Sequence, residues 1–322
     1  MHSTVVRTCS LAASLCLLAL SAGASSAGAD SFLPVNTAPT LVPLSLSSSI
    51  QPDDDASAAV YTYSATVADL DTLNDLTAVT LCLYHTTGGS SDCSSLNPAN
   101  TVKLTWTQAT NSFAIDGNSS NSYWALGTGA DASSAPADLT AMTGTFSFKF
   151  TVSEAMREGG WTAKLTADDG VAAPVSNATL TTTVQHYSAI AARSQKDFGT
   201  LAANVPGDAT DTPTVTSNGG VFYSMTAGSF TNDSYSFALR TSAGAPTAGQ
   251  VTFDCLVGGS WSLGVGAVRV GSTATQLSAS QLGTGTLEGG TGLANTCRLQ
   301  HGGGRPVGTY SFTVVNTVGN DA

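Results

Sequence analysis

Charged side chains are scarce in this sequence, and basic ones are the scarcest. Lysine and arginine number 11 against 22 aspartates and glutamates in 322 residues, a net charge of −11. A chain so poor in cations has no electrostatic footprint for nucleic acid, and an anionic membrane surface repels it. Long apolar runs are missing too. After residue 20 none is long enough to cross a bilayer as a helix, so no membrane insertion is expected. Helical stripes are also absent beyond the N-terminus, where no stretch repeats its apolar residues at a period of 3.6.

Catalytic motifs are lacking as well. Beyond the N-terminal segment the histidines are His85, His186 and His301, with no HExxH grouping. The run Gly259-Ser260-Trp261-Ser262-Leu263 breaks the GxSxG pattern at its third and last positions. No Walker loop occurs, and no GxGxxG turn follows a strand and opens a helix. A protein that is not an enzyme is expected.

The N-terminus carries an export signal. Arg7 gives a weakly basic start, Leu11 to Leu20 is an apolar core, and Ala27-Gly28-Ala29 is a cleavage site before Asp30. Residues 1–29 therefore read as a signal peptide, and the mature chain as secreted or extracellular. Cleavage removes Cys9 and Cys16 and leaves Cys82, Cys93, Cys255 and Cys297, one local pair in each half. In an exported chain an even set reads as disulfides, here Cys82–Cys93 and Cys255–Cys297. Zinc would need CxxC pairs or neighbouring histidines, and neither is present.

Gly, Ser, Thr and Ala dominate the rest, a composition for strands and turns. Residues 30–44 read as a Pro-, Ser- and Thr-rich leader. Then residues alternate. Tyr61, Tyr63, Ala65 and Val67 share one face. So do Phe146, Phe148, Phe150 and Val152, and so do Trp161, Ala163, Leu165 and Ala167. Period-2 alternation bounded by Gly, Asn, Asp and Pro marks half-buried strands. The style restarts with Tyr235, Phe237 and Leu239, then Val251, Phe253 and Cys255. Residues 45–184 hold 14 acidic and 4 basic groups, whereas residues 190–322 hold 7 and 6. Two all-β sandwiches are expected, at 45–186 and 187–322.

The run VYTYSATVADLDTLNDLTAVTLCLYH, with FKFTVSEAMREGGWTAKLTADDG after it, resembles the bacterial immunoglobulin-like and cadherin-like modules of exported prokaryotic surface proteins. The segment KDFGTLAANVPGDATDTPTVTSNGGVFYSM resembles a second sandwich type found in similar proteins. The resemblance implies tandem immunoglobulin-like β-sandwiches that host many roles.

Two sets of residues are candidates for a site. Asp69, Asp71, Asp168 and Asp169 sit at strand ends, with Asp75 and the Asp53–Asp55 run nearby. Carboxylates gathered at one pole would suit a hard cation such as calcium, and equally suit a solvated rim that shapes turns. Tyr123 and Trp124 lie in a polar run and read either as a ligand contact or as a pin for their loop, whereas Trp106 and Trp161 read as core. Asn118, Asn177 and Asn232 stand in N-x-S/T sequons. The expected role is a secreted or surface-associated adhesion or interaction protein with an extracellular protein or glycan as partner. The alternatives are a filament or surface-layer subunit that self-associates through edge strands, and a carbohydrate-binding accessory module.

Overall fold

A computed structural model of the chain describes residues 36–52, 59–116, 124–154, 156–171, 174–191, 195–257, 267–277 and 291–319. The segment read as an export signal, Asp53–Asp55, Tyr123, Trp261 and Asn118 lie outside these. The described chain is all β, with short 3-10 turns and no α-helix.

The first half forms β1 (Thr40–Leu46), β2 (Ser49–Ile50), β3 (Tyr61–Ala68), β4 (Ala78–His85) and β5 (Thr101–Thr107). It continues with β6 (Ser112–Ile115), β7 (Trp124–Leu126), β8 (Thr143–Val152), β9 (Gly159–Asp168) and β10 (Val175–Val184). One sheet has the order β1-β3-β8-β7, the other β2-β10-β9-β4-β5-β6. The alternation seen in the sequence becomes an inside and an outside. Tyr61, Tyr63, Ala65 and Val67 of β3 are buried, and the residues between them are half-buried. With the phenylalanines of β8 they pack on Val79, Leu81 and Leu83 of β4 and on the Trp161 face of β9. Trp106 meets Phe146 edge to face at 5.0 Å, an aromatic geometry worth about 1 kcal/mol beyond its burial. Burial also pushes the Tyr63 phenol up to about 12.

β1 begins at Thr40, inside the segment expected as a leader. Its alternation is concealed because the register with β3 shifts between Pro43 and Ser45. Such a bulge adds a residue to one strand and breaks the period of two.

The second half forms β11 (Ser188–Ile190), β12 (Gly207–Asp211), β13 (Thr214–Ser217), β14 (Phe222–Ala227), β15 (Phe230–Asn232) and β16 (Tyr235–Leu239). After these come β17 (Gln250–Val257), β18 (Val268–Arg269), β19 (Thr275–Gln276), β20 (Thr291–Gly292), β21 (Asn295–His301) and β22 (Val314–Gly319). Its largest sheet runs β12-β21-β17-β16-β15, with β18 on β17, and two three-stranded sheets, β11-β13-β20 and β19-β14-β22, complete it. Tyr223, Met225, Phe253, Cys255 and Cys297 form the centre of a second core that shares no residue with the first. Phe230 stacks on Phe312 at 3.8 Å beside it. The two cores nevertheless belong to one compact unit, Thr37–Ala322.

Candidate functional site

A concavity lies where the two halves meet. It is built on three chain turns. β8 ends at Val152, and the chain re-enters as β9 at Gly159, whose φ of +109° suits a residue without Cβ. This turn presents Arg157 and Glu158. The second contribution is the connection 185–187. The third is the turn after β13, Ser217 to Gly220.

Glu158 touches all of them. One carboxylate oxygen is 2.6 Å from His186 Nδ1. Its main-chain N–H donates to the Asn218 carbonyl at 3.1 Å. Its own carbonyl accepts from His85 Nε2 at 2.9 Å. Asn218 has no exposed surface. Its Nδ2 donates to the Gln185 carbonyl at 2.8 Å, and its Oδ1 accepts the Tyr187 N–H at 2.7 Å. Ser217 Oγ donates to the Tyr187 carbonyl at 3.0 Å. The connection is thus held by side chains of the second half. Gly219 completes the contact, since a Cβ there would stand 2.1 Å from Glu158 Oε1.

The resulting cleft is open, about 670 Å³, and lined by His85, Arg157, Glu158, His186, Asn218 and Gly219 among others. His186 Nε2 is buried with no hydrogen-bond partner among the described residues. Arg157 Nη1 donates to the Thr87 carbonyl at 3.1 Å. His85 Nδ1 sits 3.0 Å from the Thr87 N–H and 2.7 Å from the Thr87 carbonyl. Sequence reading missed this cleft, because its members come from separate stretches spread between residues 85 and 220.

The aspartates gather at the turns after β3 and β9. Asp69 and Asp169 are buried. Asp69 Oδ1 accepts the Asp71 N–H at 2.9 Å, and Asp71 Oδ2 accepts the Thr37 N–H at 2.6 Å. Asp169 Oδ1 accepts the Val171 N–H at 2.9 Å. Asp69 Oδ2 is buried with no hydrogen-bond partner among the described residues. Burial pushes the Asp69 carboxyl above the usual carboxylate range. The Asp71 N–H opposes that rise, and the charges of Asp71, Asp75 and Asp169 add to it. Asp168 stands apart from this group. It follows buried Ala167 on β9, so its side chain leaves the opposite face, and its Oδ1 accepts the Gly170 N–H at 2.8 Å. Asp75 takes its place near Asp69. No three His, Cys, Asp or Glu side chains among the described residues come together closely enough to hold a metal ion.

Trp124 is 1% exposed. It packs on Phe150 and Trp161 at 5.6 and 5.8 Å, and Nε1 donates to the Pro98 carbonyl at 2.8 Å. Its role is that of a pin, and it offers no face to a ligand. The reason is that β7 pairs with β8 and turns its first side chain into the core. Trp106 and Trp161 are buried too. Both cysteine pairs are disulfides, Cys82–Cys93 and Cys255–Cys297. The second joins directly opposed residues of β17 and β21. Asn232, in its sequon, ends β15 at a hairpin turn.

No protein-family model matches the chain, and no curated protein matches it.

Proposed function

We propose that this chain is an exported, non-enzymatic interaction protein that recognises an extracellular protein or glycan through its first half. We further infer that this half is an immunoglobulin-like sandwich. Strands β1, β3, β8 and β7 take the places of A, B, E and D. Strands β10, β9, β4, β5 and β6 take those of G, F, C, C′ and C″, and the chain visits them in that family's order. The parallel pair β2–β10 adds a strand beside G. Two disulfides suit an oxidising exterior, and no helix among the described residues is long and apolar enough to cross a membrane.

The observation that carries the interaction reading is the outer face of the β1-β3-β8 sheet. Val42 and Leu44 of β1 are 57% and 54% exposed. Beside them run the hydroxyls of Thr62, Ser64 and Thr66 on β3 and of Thr145 and Ser147 on β8, aligned by register. Two exposed aliphatic side chains at the rim of a hydroxyl-rich face give a contact surface with an apolar anchor. The filament reading draws less support at this edge. Pro43 has no N–H to offer an added strand, and the bulge beside it bends the edge away.

The test is an array of extracellular proteins and glycans probed with the labelled mature chain and with Leu44→Glu and Val42→Glu variants. Saturable binding by the parent, lost in both variants at unchanged melting temperature, is the expected result. Absence of saturable binding by the parent, or equal binding by the variants, overturns the assignment.

A further inference from the structure

Away from the junction, the first half ends in three connected segments. The chain leaves β3 at Ala68, enters β8 at Thr143 and leaves β9 at Asp168, at the end opposite Gly159. The Asp69 N–H donates to the Met142 carbonyl at 2.8 Å, and the Thr77 N–H donates to the Asp168 carbonyl at 2.7 Å. Leu70, Met142 and Val171, one from each segment, are exposed. The same segments carry Asp71, Asp75, Asp138 and Asp168. The cations of this half lie elsewhere. Lys103 is paired with Asp116, Lys149 and Lys164 sit within β8 and β9, and Arg157 is in the junction turn. This far end is therefore apolar and strongly acidic.

The second half has a counterpart. Asn295 opens β21 and bonds Tyr223, near the start of β14 and the junction turn. β21 then runs away from the junction to His301. There the Asn204 N–H donates to the His301 carbonyl and the Gly249 N–H to the Gly303 carbonyl, both at 2.8 Å. Arg305 Nε donates to the Ser236 carbonyl at 2.8 Å. Val205, Tyr235 and Val307 of these joined segments are exposed. Of the nine large apolar side chains exposed among the described residues, six thus lie at the two far ends. Lys196, Arg269 and Arg298 are each paired with an aspartate. Arg240 and Arg305 are not; among the described residues they meet only neutral oxygens. Asp233, in the turn before Tyr235, offsets one of them, and the end stays net positive.

We propose that copies of this chain join end to end, the acidic far end of the first half of one copy seated on the cationic far end of the second half of the next. Charge selects the pairing. Two acidic ends repel each other, and so do two cationic ends, so a self-complementary dimer is disfavoured. Opposite ends attract, and each brings aliphatic or aromatic side chains that water leaves when they meet. A contact between different ends leaves one of each unused, so association continues past two copies. It uses neither β1 nor its bulged edge, and so differs from strand addition.

Sedimentation velocity of the purified mature chain in chelator tests this, since no divalent ion can then bridge the carboxylates. The expected mass rises with concentration beyond that of two copies, and rises less in concentrated sodium chloride, which screens the charges. Val171→Lys spoils the first end and Val307→Lys the second. Each variant alone is expected at the mass of one chain, with the melting temperature of the parent. Their equimolar mixture is expected to stop at two copies, because only one of its two contacts is intact. A parent that stays single up to millimolar concentration overturns the proposal, and so does one that stops at two. Assembly by either variant alone, a mixture that stays single, or growth indifferent to salt overturns it too. Should a variant melt below the parent, Leu70→Lys or Val205→Lys replaces it at the same end. Val42 and Leu44 are untouched throughout, so the outcome is independent of the recognition proposed for their face.

Discussion

Glu158 and His186 close the junction between the two halves across 2.6 Å, and Gly219 leaves the Glu158 carboxylate the room it occupies. The glutamate comes from the turn that links the two sheets of the first half between β8 and β9, the histidine from the connection, and the glycine from a turn of the second. Each therefore depends on the other two.

Gly219→Ala is expected to push the Glu158 carboxylate off His186. The cost is about 1 kcal/mol of unfolding free energy, the size of a partly exposed hydrogen bond with some local repacking. Glu158→Ala removes the atom that the new methyl meets. The double variant is then expected to be no less stable than Glu158→Ala alone. Chemical denaturation of the four proteins measures this coupling, and strict additivity of the two single changes would contradict the junction described.

Asp69→Asn is expected to stabilise the protein at neutral pH by about 1 kcal/mol. It removes a buried charge with an unpartnered oxygen, and its Oδ1 can still accept the Asp71 N–H. The pH dependence follows from the raised carboxyl. A group that holds its proton more tightly when folded favours the folded state below its unfolded pKa of about 3.9. That contribution is lost as pH rises through the folded value. The gain from asparagine is therefore greatest at neutral pH and shrinks as the medium is acidified. Melting curves in chelator across the acid range measure it. Repeating them in calcium tests the cation expectation, because an ion on Oδ2 would make aspartate the more stable residue.

Removing the disulfides is expected to rank by loop length. Cys82 and Cys93 are separated by 11 residues, Cys255 and Cys297 by 42. Loop-closure entropy assigns the shorter about 3 kcal/mol and the longer about 4. Paired alanine substitutions, compared by denaturant midpoints, are expected to place the Cys255–Cys297 variant lower. The reverse order would show that packing around the Cys82 loop outweighs the closure entropy.

Strands β3, β8 and β9 were legible in the sequence because each alternates without a break, and the burial follows residue by residue. β1 was not, since Pro43 and the register shift disrupt its period. β7 was not, since three residues carry too little pattern, and from sequence Trp124 fits contact and pin equally. Among the aspartates, spacing suggested a shared pole. It could not say that Asp168 would leave on the other face while Asp75 approached. That depends on where β9 ends and on how the 3-10 turn Leu73–Asp75 settles over the core.

The sequence by itself determined the all-β class and the face that each long strand buries, because the side chains of a strand repeat every two residues and need no distant partner to do so. Only the tertiary structure decided the junction cleft and the gathering of apolar and charged side chains at the two far ends. Those groupings join turns and strand ends far apart in the chain. Nothing local selects them, and they exist only once the sheets have packed and the turn after β13 has closed on Glu158.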